Sequence, residues 1–114
     1  MRLEHTKLNN GVDLLKLTGR LDILGTGEIE TKFAGYCAVE GERVLVDLFA
    51  VDFLASIGIR MLVVNAKALA ARGGRMILLN PSPDVARVLE IAGIPAKIPM
   101  YNNLESALAV LGVE

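Results

Sequence analysis

The sequence predicts an α/β fold with a mixed β-sheet, helices mainly on one face, and the element order ββαβαβαβα. Three observations predict it: a turn sequence, Asn9-Asn10-Gly11, between two strand-like segments; a nearly continuous apolar run from Val44 to Leu48; and helical patterns that alternate with strands after the turn. A helix between two strands favours parallel pairing, whereas the opening hairpin adds an antiparallel pair. A chain of 114 residues with 53% apolar content can bury one core, so residues 1–114 are predicted to form a single domain.

The first three elements follow from turn chemistry and helical spacing. Asparagine followed by glycine supplies the positive φ angles that tight turns require, so residues 3–8 and 12–17 are predicted to be paired strands. Ile29, Phe33 and Cys37 recur at helical spacing and predict the first helix. Its predicted cap is Thr26 or Gly25, and its predicted first turn contains Glu28 and Glu30.

The run from Val44 to Leu48 predicts a central strand, because a strand covered on both faces is apolar throughout. A second helix is predicted to begin near Ser56 and to end at Gly73-Gly74, before a strand from Arg75 to Leu79. Ser82-Pro83-Asp84 predicts the start of a third helix. The remaining predictions are its buried stripe Val85, Val88, Leu89 and Ala92; an edge strand from Lys97 to Met100; and a last helix capped by Asn103, with Leu104, Ala107, Leu108 and Leu111 on one face.

Composition excludes several classes of function. The net charge is −1, and no cluster of lysine or arginine would attract nucleic acid, so direct nucleic-acid binding is not expected. No apolar stretch approaches the roughly 20 residues of a membrane span, and the N-terminus lacks the apolar core of a secretory signal, so a cytoplasmic protein without membrane insertion is predicted. The single cysteine, Cys37, is predicted to pack in the core.

An enzyme is not predicted. His5 is the only histidine, and no cluster of histidine or cysteine has metal-ligand spacing, so neither a metal nor a cofactor is expected. Gly73-Gly74 follows a helix and precedes a strand, which reverses the order that a phosphate-cradling glycine loop needs. Asp47 and Asp52 are close in sequence, but proximity alone does not indicate a catalytic pair.

Ser56 lies where the central strand gives way to the second helix. Its hydroxyl is predicted to face solvent beside the helix N-terminus, where unpaired N–H groups and the helix dipole favour negative charge. A phosphate there would add a charge of about −1.5 to −2. The alternative is a helix cap, which is worth about 1 kcal/mol.

Four segments of the chain form a recognisable set. They are Leu17 to Asp22; Val46 to Leu48 with Phe53 to Ile59; Gly74 to Leu78; and Asn80 to Pro83 with Val88 to Ile94. In this order and spacing they resemble the STAS domain of bacterial anti-sigma-factor antagonists over nearly the whole chain. The resemblance implies a STAS-type fold.

The resemblance also implies partner switching. The unphosphorylated antagonist binds an anti-sigma factor, usually a serine kinase, and so frees the sigma factor; the kinase phosphorylates a serine at the helix start, and a serine phosphatase reverses this. By match to the family's aspartate-serine-serine/threonine-glycine pattern, Ser56 is the candidate phosphate acceptor. Ala55 and Ile57 replace two polar residues of that pattern. The predicted partner-binding residues are Asp22, Leu24, Thr26, Ala55, Ser56, Ile57, Gly58, Ile59 and Arg60.

Two alternatives stay open for this region. STAS domains also occur as accessory subunits of membrane lipid transporters, in anion transporters and in sensory scaffolds, where the same loop meets a partner constitutively; Ala55 and Ile57 are compatible with that role. Asp22 is predicted either to cap the next helix or to contact the partner. Phe53 and Leu54 are predicted to lie in the core. The sequence leaves the oligomeric state open.

Overall fold

The computed structural model describes residues 1–112, which form one five-stranded sheet with four α-helices, in the predicted order ββαβαβαβα. The strands lie in the order β1-β2-β3-β4-β5; β1 is antiparallel to β2, and all other neighbours are parallel. The elements are β1 (Arg2–Lys7), β2 (Asp13–Leu21), α1 (Ile23–Cys37), β3 (Arg43–Leu54), α2 (Ser56–Ala71), β4 (Arg75–Leu79), α3 (Pro83–Ile91), a 3₁₀ turn (Ile94–Ala96), β5 (Met100–Tyr101) and α4 (Leu104–Val110).

Two apolar clusters lie on opposite faces of the sheet. The larger cluster packs α1, α2 and α3 against the strands, with Phe33, Leu62 and Leu89 as fully buried members. The smaller cluster lies on the other face and contains Ala107 of α4 together with Leu45 of β3 and Ile77 of β4. Three of the four helices therefore cover one face, as predicted, and the fourth covers part of the other.

Strand β3 is longer than the sequence predicted, because it continues past Leu48 to Leu54. Its pairing with β2 contains two irregularities, each of which adds one residue to β3. A regular strand alternates between two faces, yet Leu48, Val51 and Leu54 all lie in the larger cluster at a spacing of three. The added residues account for this spacing and turn Phe53 outward. The prediction of a buried Leu54 is confirmed, and that of a buried Phe53 is wrong.

The start of α1 also differs from its prediction. Asp22 is the cap, and its side chain accepts a hydrogen bond from the Gly25 N–H. Gly25 and Thr26 lie in the first turn of the helix and are buried, so neither is the cap. Because the helix begins earlier than predicted, Glu28 and Glu30 lie beyond its first turn.

The C-terminal third follows its capping signals closely. Ser82 caps α3 and Asn103 caps α4, as predicted. Of the predicted stripe on α3, Val85 and Leu89 are buried, whereas Val88 is exposed within the helix and Ala92 is exposed just after its last residue, Ile91. The last strand is shorter and later than the predicted Lys97 to Met100, since the chain first makes the 3₁₀ turn.

A polar cluster ties the opening hairpin to the rest of the sheet. Asp13, at the start of β2, is almost fully buried, and its Oδ1 lies 2.7 Å from His5 Nε2. Lys7 Nζ lies 3.3 Å from the same carboxylate and 2.8 Å from Glu42 Oε2. Burial alone would raise the pKa of the Asp13 carboxyl, but its hydrogen bonds with His5 and Lys7 and the positive charge of Lys7 hold that pKa below its ordinary value.

Replacing Asp13 with asparagine should therefore lower the free energy of unfolding at neutral pH by about 1 kcal/mol, since Lys7 and His5 are partly solvated and lose only part of their stabilisation. A lowered pKa contributes stability that is fully present above the ordinary pKa and is lost as the pH falls through the folded value. The difference between the two proteins should thus shrink below about pH 4. Urea unfolding of both proteins at neutral and acidic pH measures this difference in the free energy of unfolding. Glu4→Gln, which removes an exposed carboxylate from β1, is the control; equal losses in both variants would contradict this role of Asp13.

Candidate functional site

The candidate site lies at the carboxyl-terminal ends of β2 and β3, where α1 and α2 begin. The Ala55 N–H donates a 2.9 Å hydrogen bond to the Leu21 carbonyl oxygen, so the start of α2 is held against the end of β2. Gly58 makes this packing possible, because a Cβ there would lie 2.9 Å from the Leu21 Cβ and 3.0 Å from the Leu54 Cδ1. The two helix starts are therefore neighbours at one edge of the sheet.

Ser56 is the first residue of α2 and is exposed. The cap is Ala55, which offers no side-chain hydrogen bond, so Ser56 does not serve as the cap. Within residues 1–112, its hydroxyl has no hydrogen bond to the protein. The N–H groups of a helix's first turn lack acceptors within the helix. An exposed, unengaged hydroxyl therefore sits beside the positive end of α2, as the sequence predicted.

Asp22 has a structural role in the same region. Its Oδ1 accepts a 2.7 Å hydrogen bond from the Gly25 N–H, and its Oδ2 lies 3.4 Å from Arg20 Nε. The Gly25 N–H, and to a lesser extent the Arg20 guanidinium, hold the pKa of the Asp22 carboxyl below its ordinary value. The Arg20 guanidinium also lies over the Phe53 ring, with Cζ 4.2 Å from the ring centroid. The helix-cap alternative for Asp22 is confirmed, and a contact with a partner remains a prediction.

Exposed apolar side chains lie at the starts of α1 and α2, the region that contains Ser56. Leu24 is 77% exposed, and Ile57 is also exposed, so these two predicted partner-binding side chains are accessible. Ile23 is equally exposed at 77% and was missed, as was the outward position of Phe53. Ile23 and Leu24 precede the buried stripe of α1 and do not fall on its helical spacing. This mismatch could have shown from the sequence that both side chains are exposed. We call these side chains and Ser56 the helix-start surface: Ile23, Leu24, Phe53, Ser56 and Ile57.

The other predicted partner-binding residues divide into accessible and buried ones. Arg60 is exposed and Ala55 is partly exposed. Ile59 is half-buried against the main core and so mainly supports the fold. Thr26 is fully buried and Gly58 is buried, so neither is accessible in the free protein, and their contact with a partner remains a prediction. The packing that brings the starts of α1 and α2 together also covers Thr26 and Gly58.

The chemistry available elsewhere is limited. Cys37 is buried, and this burial raises the pKa of its thiol to about 11, so the thiol stays protonated at neutral pH and packs in the core, as predicted. Among residues 1–112, no group of three or more histidine, cysteine, aspartate or glutamate side chains is placed to hold a metal ion. None of the helices described is both long enough and apolar enough to cross a membrane.

Comparison with known proteins agrees with this arrangement. Residues 5–107 match the profile of the STAS domain. BtrV of Bordetella bronchiseptica, named as a candidate anti-sigma factor antagonist, is 29% identical over 109 residues, which cover 96% of this chain and 93% of BtrV. The anti-sigma F factor antagonist of Paenibacillus polymyxa is 25% identical over 114 residues, covering 99% of this chain and 95% of that protein.

Solved structures extend the agreement to the fold. The anti-sigma factor antagonist SpoIIAA in its unphosphorylated form has a TM-score of 0.78 and 24% identity, with 99% of each chain covered. SpoIIAA of Bacillus in its phosphorylated form has a TM-score of 0.70 and 23% identity, covering 96% of this chain and 99% of SpoIIAA.

Proposed function

Because the chain belongs to the STAS domain family, as its sequence indicated, we propose that it is an anti-sigma factor antagonist, which binds an anti-sigma factor and thereby frees a sigma factor. Relatives that cover nearly its whole length carry that name. It acts by binding rather than by catalysis, and it works in the cytoplasm, where sigma factors meet RNA polymerase. Neither nucleic acid nor a membrane is a direct partner.

The observation that carries this function is the helix-start surface. Ile23 and Leu24 expose large apolar side chains on α1, and Ile57 does so on α2, beside the Ser56 hydroxyl. Isolated apolar residues on a protein surface are ordinary, but several of them at one edge of a sheet suit a protein partner. Interfaces bury such apolar anchors at their centre. The anti-sigma factor therefore docks across the starts of α1 and α2.

Phosphorylation of Ser56 is the proposed regulation of this binding. In the four-residue segment Ala55 to Gly58, Ser56 is the only hydroxyl, so a phosphate on this segment must be attached there. The unpaired N–H groups of the first turn of α2 can accommodate the phosphate without refolding. Its charge would nevertheless lie at the apolar helix-start surface, on a helix start that the hydrogen bond between Ala55 and Leu21 holds against the strand end preceding Asp22, whose carboxyl is ionised. The anti-sigma factor is then itself a serine kinase, and a serine phosphatase restores binding.

Substitution of Ser56 tests this regulation. Ser56→Asp should weaken binding to the purified anti-sigma factor of the same organism by roughly tenfold, because it places an unpaired charge against an apolar partner surface. Ser56→Ala should bind as the wild type does, because the hydroxyl makes no hydrogen bond that the fold needs within residues 1–112. Isothermal titration calorimetry measures both affinities. Incubation with the anti-sigma factor and ATP, followed by mass-spectrometric mapping, identifies any modified residue. Equal binding by both variants would exclude an electrostatic switch.

A second function is favoured by Ile57. The family pattern has a small polar residue at this position, and an exposed isoleucine there enlarges the apolar area without adding a phosphate acceptor. The protein could accordingly be an unphosphorylated accessory or scaffold subunit, for example of a lipid-transport or sensory complex, that meets its partner constitutively. Recovery of the native protein without phosphate on Ser56, together with transporter genes beside its own, would favour this function over the switch.

A further inference from the structure

A groove runs between α1 and α2 and opens to solvent. Its volume is about 640 Å³. Glu30 and Ala34 line it on the α1 side, and Ile57, Arg60 and Val64 line it on the α2 side. Ile57 also belongs to the helix-start surface, so the groove begins where that surface ends.

An apolar stripe leads from the helix-start surface into the groove. Val64 follows Ile57 by seven residues, which is two helical turns, so the two side chains point the same way about 10 Å apart along α2. Val64 is 52% exposed, although it lies in the middle of α2, where the nearby residues Met61 and Leu62 are buried. The fold leaves this apolar side chain without a cover.

The two walls of the groove carry opposite charges that do not pair. Glu30 lies on α1 and Arg60 on α2. Neither has an ion-pair partner within 4.0 Å among the residues described, and they do not pair with each other. The groove thus offers a positive and a negative contact point on either side of an apolar floor. An occupant complementary to it has an acidic residue facing Arg60 and a basic residue facing Glu30.

We propose that this groove receives an amphipathic helix of the anti-sigma factor, which extends the contact from the helix-start surface along α2. This inference rests on the proposed function. A helix suits the groove because its apolar residues recur every three to four positions, and such residues two turns apart span the distance between Ile57 and Val64. An acidic residue beside that apolar face pairs with Arg60. The docked helix covers Val64.

Charge substitution in the groove tests the proposal. Val64→Glu should weaken binding to the purified anti-sigma factor of the same organism by tenfold or more, because the docked helix would meet a carboxylate in place of an apolar side chain, and this carboxylate, four residues after Arg60, would compete with the partner's acidic residue for Arg60. Val39→Glu is the matched control, since Val39 is also a valine, is 50% exposed and lies in the turn after α1, outside the groove. This control should bind within about twofold of the wild type. Equal affinities of the two variants would overturn the proposal.

Two further measurements show whether the partner contacts the groove itself or only the helix-start surface. Arg60→Glu, at an exposed position, should weaken binding, and its loss should diminish at high salt because it removes a charge contact. If Leu24→Glu abolishes binding while Val64→Glu and Arg60→Glu do not, the groove is empty in the complex, and the anti-sigma factor docks on the helix-start surface alone. If the wild type binds none of the purified anti-sigma factors of its organism, the proposed function fails, and the groove proposal fails with it.

Discussion

Gly25→Ala is expected to lower the free energy of unfolding by roughly 3 kcal/mol. A Cβ added at Gly25 would lie 1.9 Å from the Arg20 carbonyl oxygen and 3.1 Å from the Asp22 Oδ1. The first of these atoms belongs to the backbone of β2, so no side-chain rotation can relieve the clash. The start of α1 must move away from the strand, and the hydrogen bond from the Gly25 N–H to Asp22 is lost with it.

Gly27 provides the control for this prediction. It lies two residues further along α1, and a Cβ there would meet nothing within 4 Å. Gly27→Ala should therefore raise stability by about 0.5–1 kcal/mol, because alanine favours the helix over glycine. Urea unfolding of the two variants should give changes of opposite sign. If Gly25→Ala were as stable as Gly27→Ala, the close approach of α1 to β2 would not be a constraint on the fold.

The elements that the sequence predicted well are those specified by neighbouring residues. Gly11 takes the positive φ of +84° that the asparagine-glycine turn indicated. Ser82 and Asn103 cap their helices through hydrogen bonds to N–H groups three residues later. The second helix begins at Ser56, as expected. In each case the signal and the structure lie within a few residues of one another, so periodicity and capping chemistry suffice.

The wrong predictions concern residues whose burial is set by contacts with parts of the chain that are distant in sequence. Phe53 was predicted to be buried because it belongs to an apolar segment, but the pairing of β3 with β2 sets which side chains face the core. Two added residues in that pairing cannot be inferred from β3 alone. Thr26 was among the predicted partner-binding residues, yet α1 packs so closely on β2 that Thr26 is fully buried. The surface around Ser56 was therefore predicted only in part.

Leu24→Glu is expected to weaken binding to the anti-sigma factor by about a hundredfold, the largest effect of any single change in the helix-start surface. Leu24 is 77% exposed, so the substitution removes little packing from the folded protein. The first turn of α1 contains no acidic residue, and a glutamate there interacts favourably with the positive end of the helix dipole. The variant should therefore be as stable as the wild type, and the whole effect should fall on the complex.

Ile91→Glu separates the loss of an apolar anchor from the general effect of a new surface charge. Ile91 is 81% exposed at the end of α3, away from the helix-start surface, and the same glutamate there should leave affinity within about twofold of the wild type. Because the net charges of the two variants are equal, any long-range electrostatic effect on association should be similar in both. Titration calorimetry against the purified anti-sigma factor compares them. Equal affinities would mean that the starts of α1 and α2 are not where the anti-sigma factor binds, and the docking site would have to lie elsewhere on the protein.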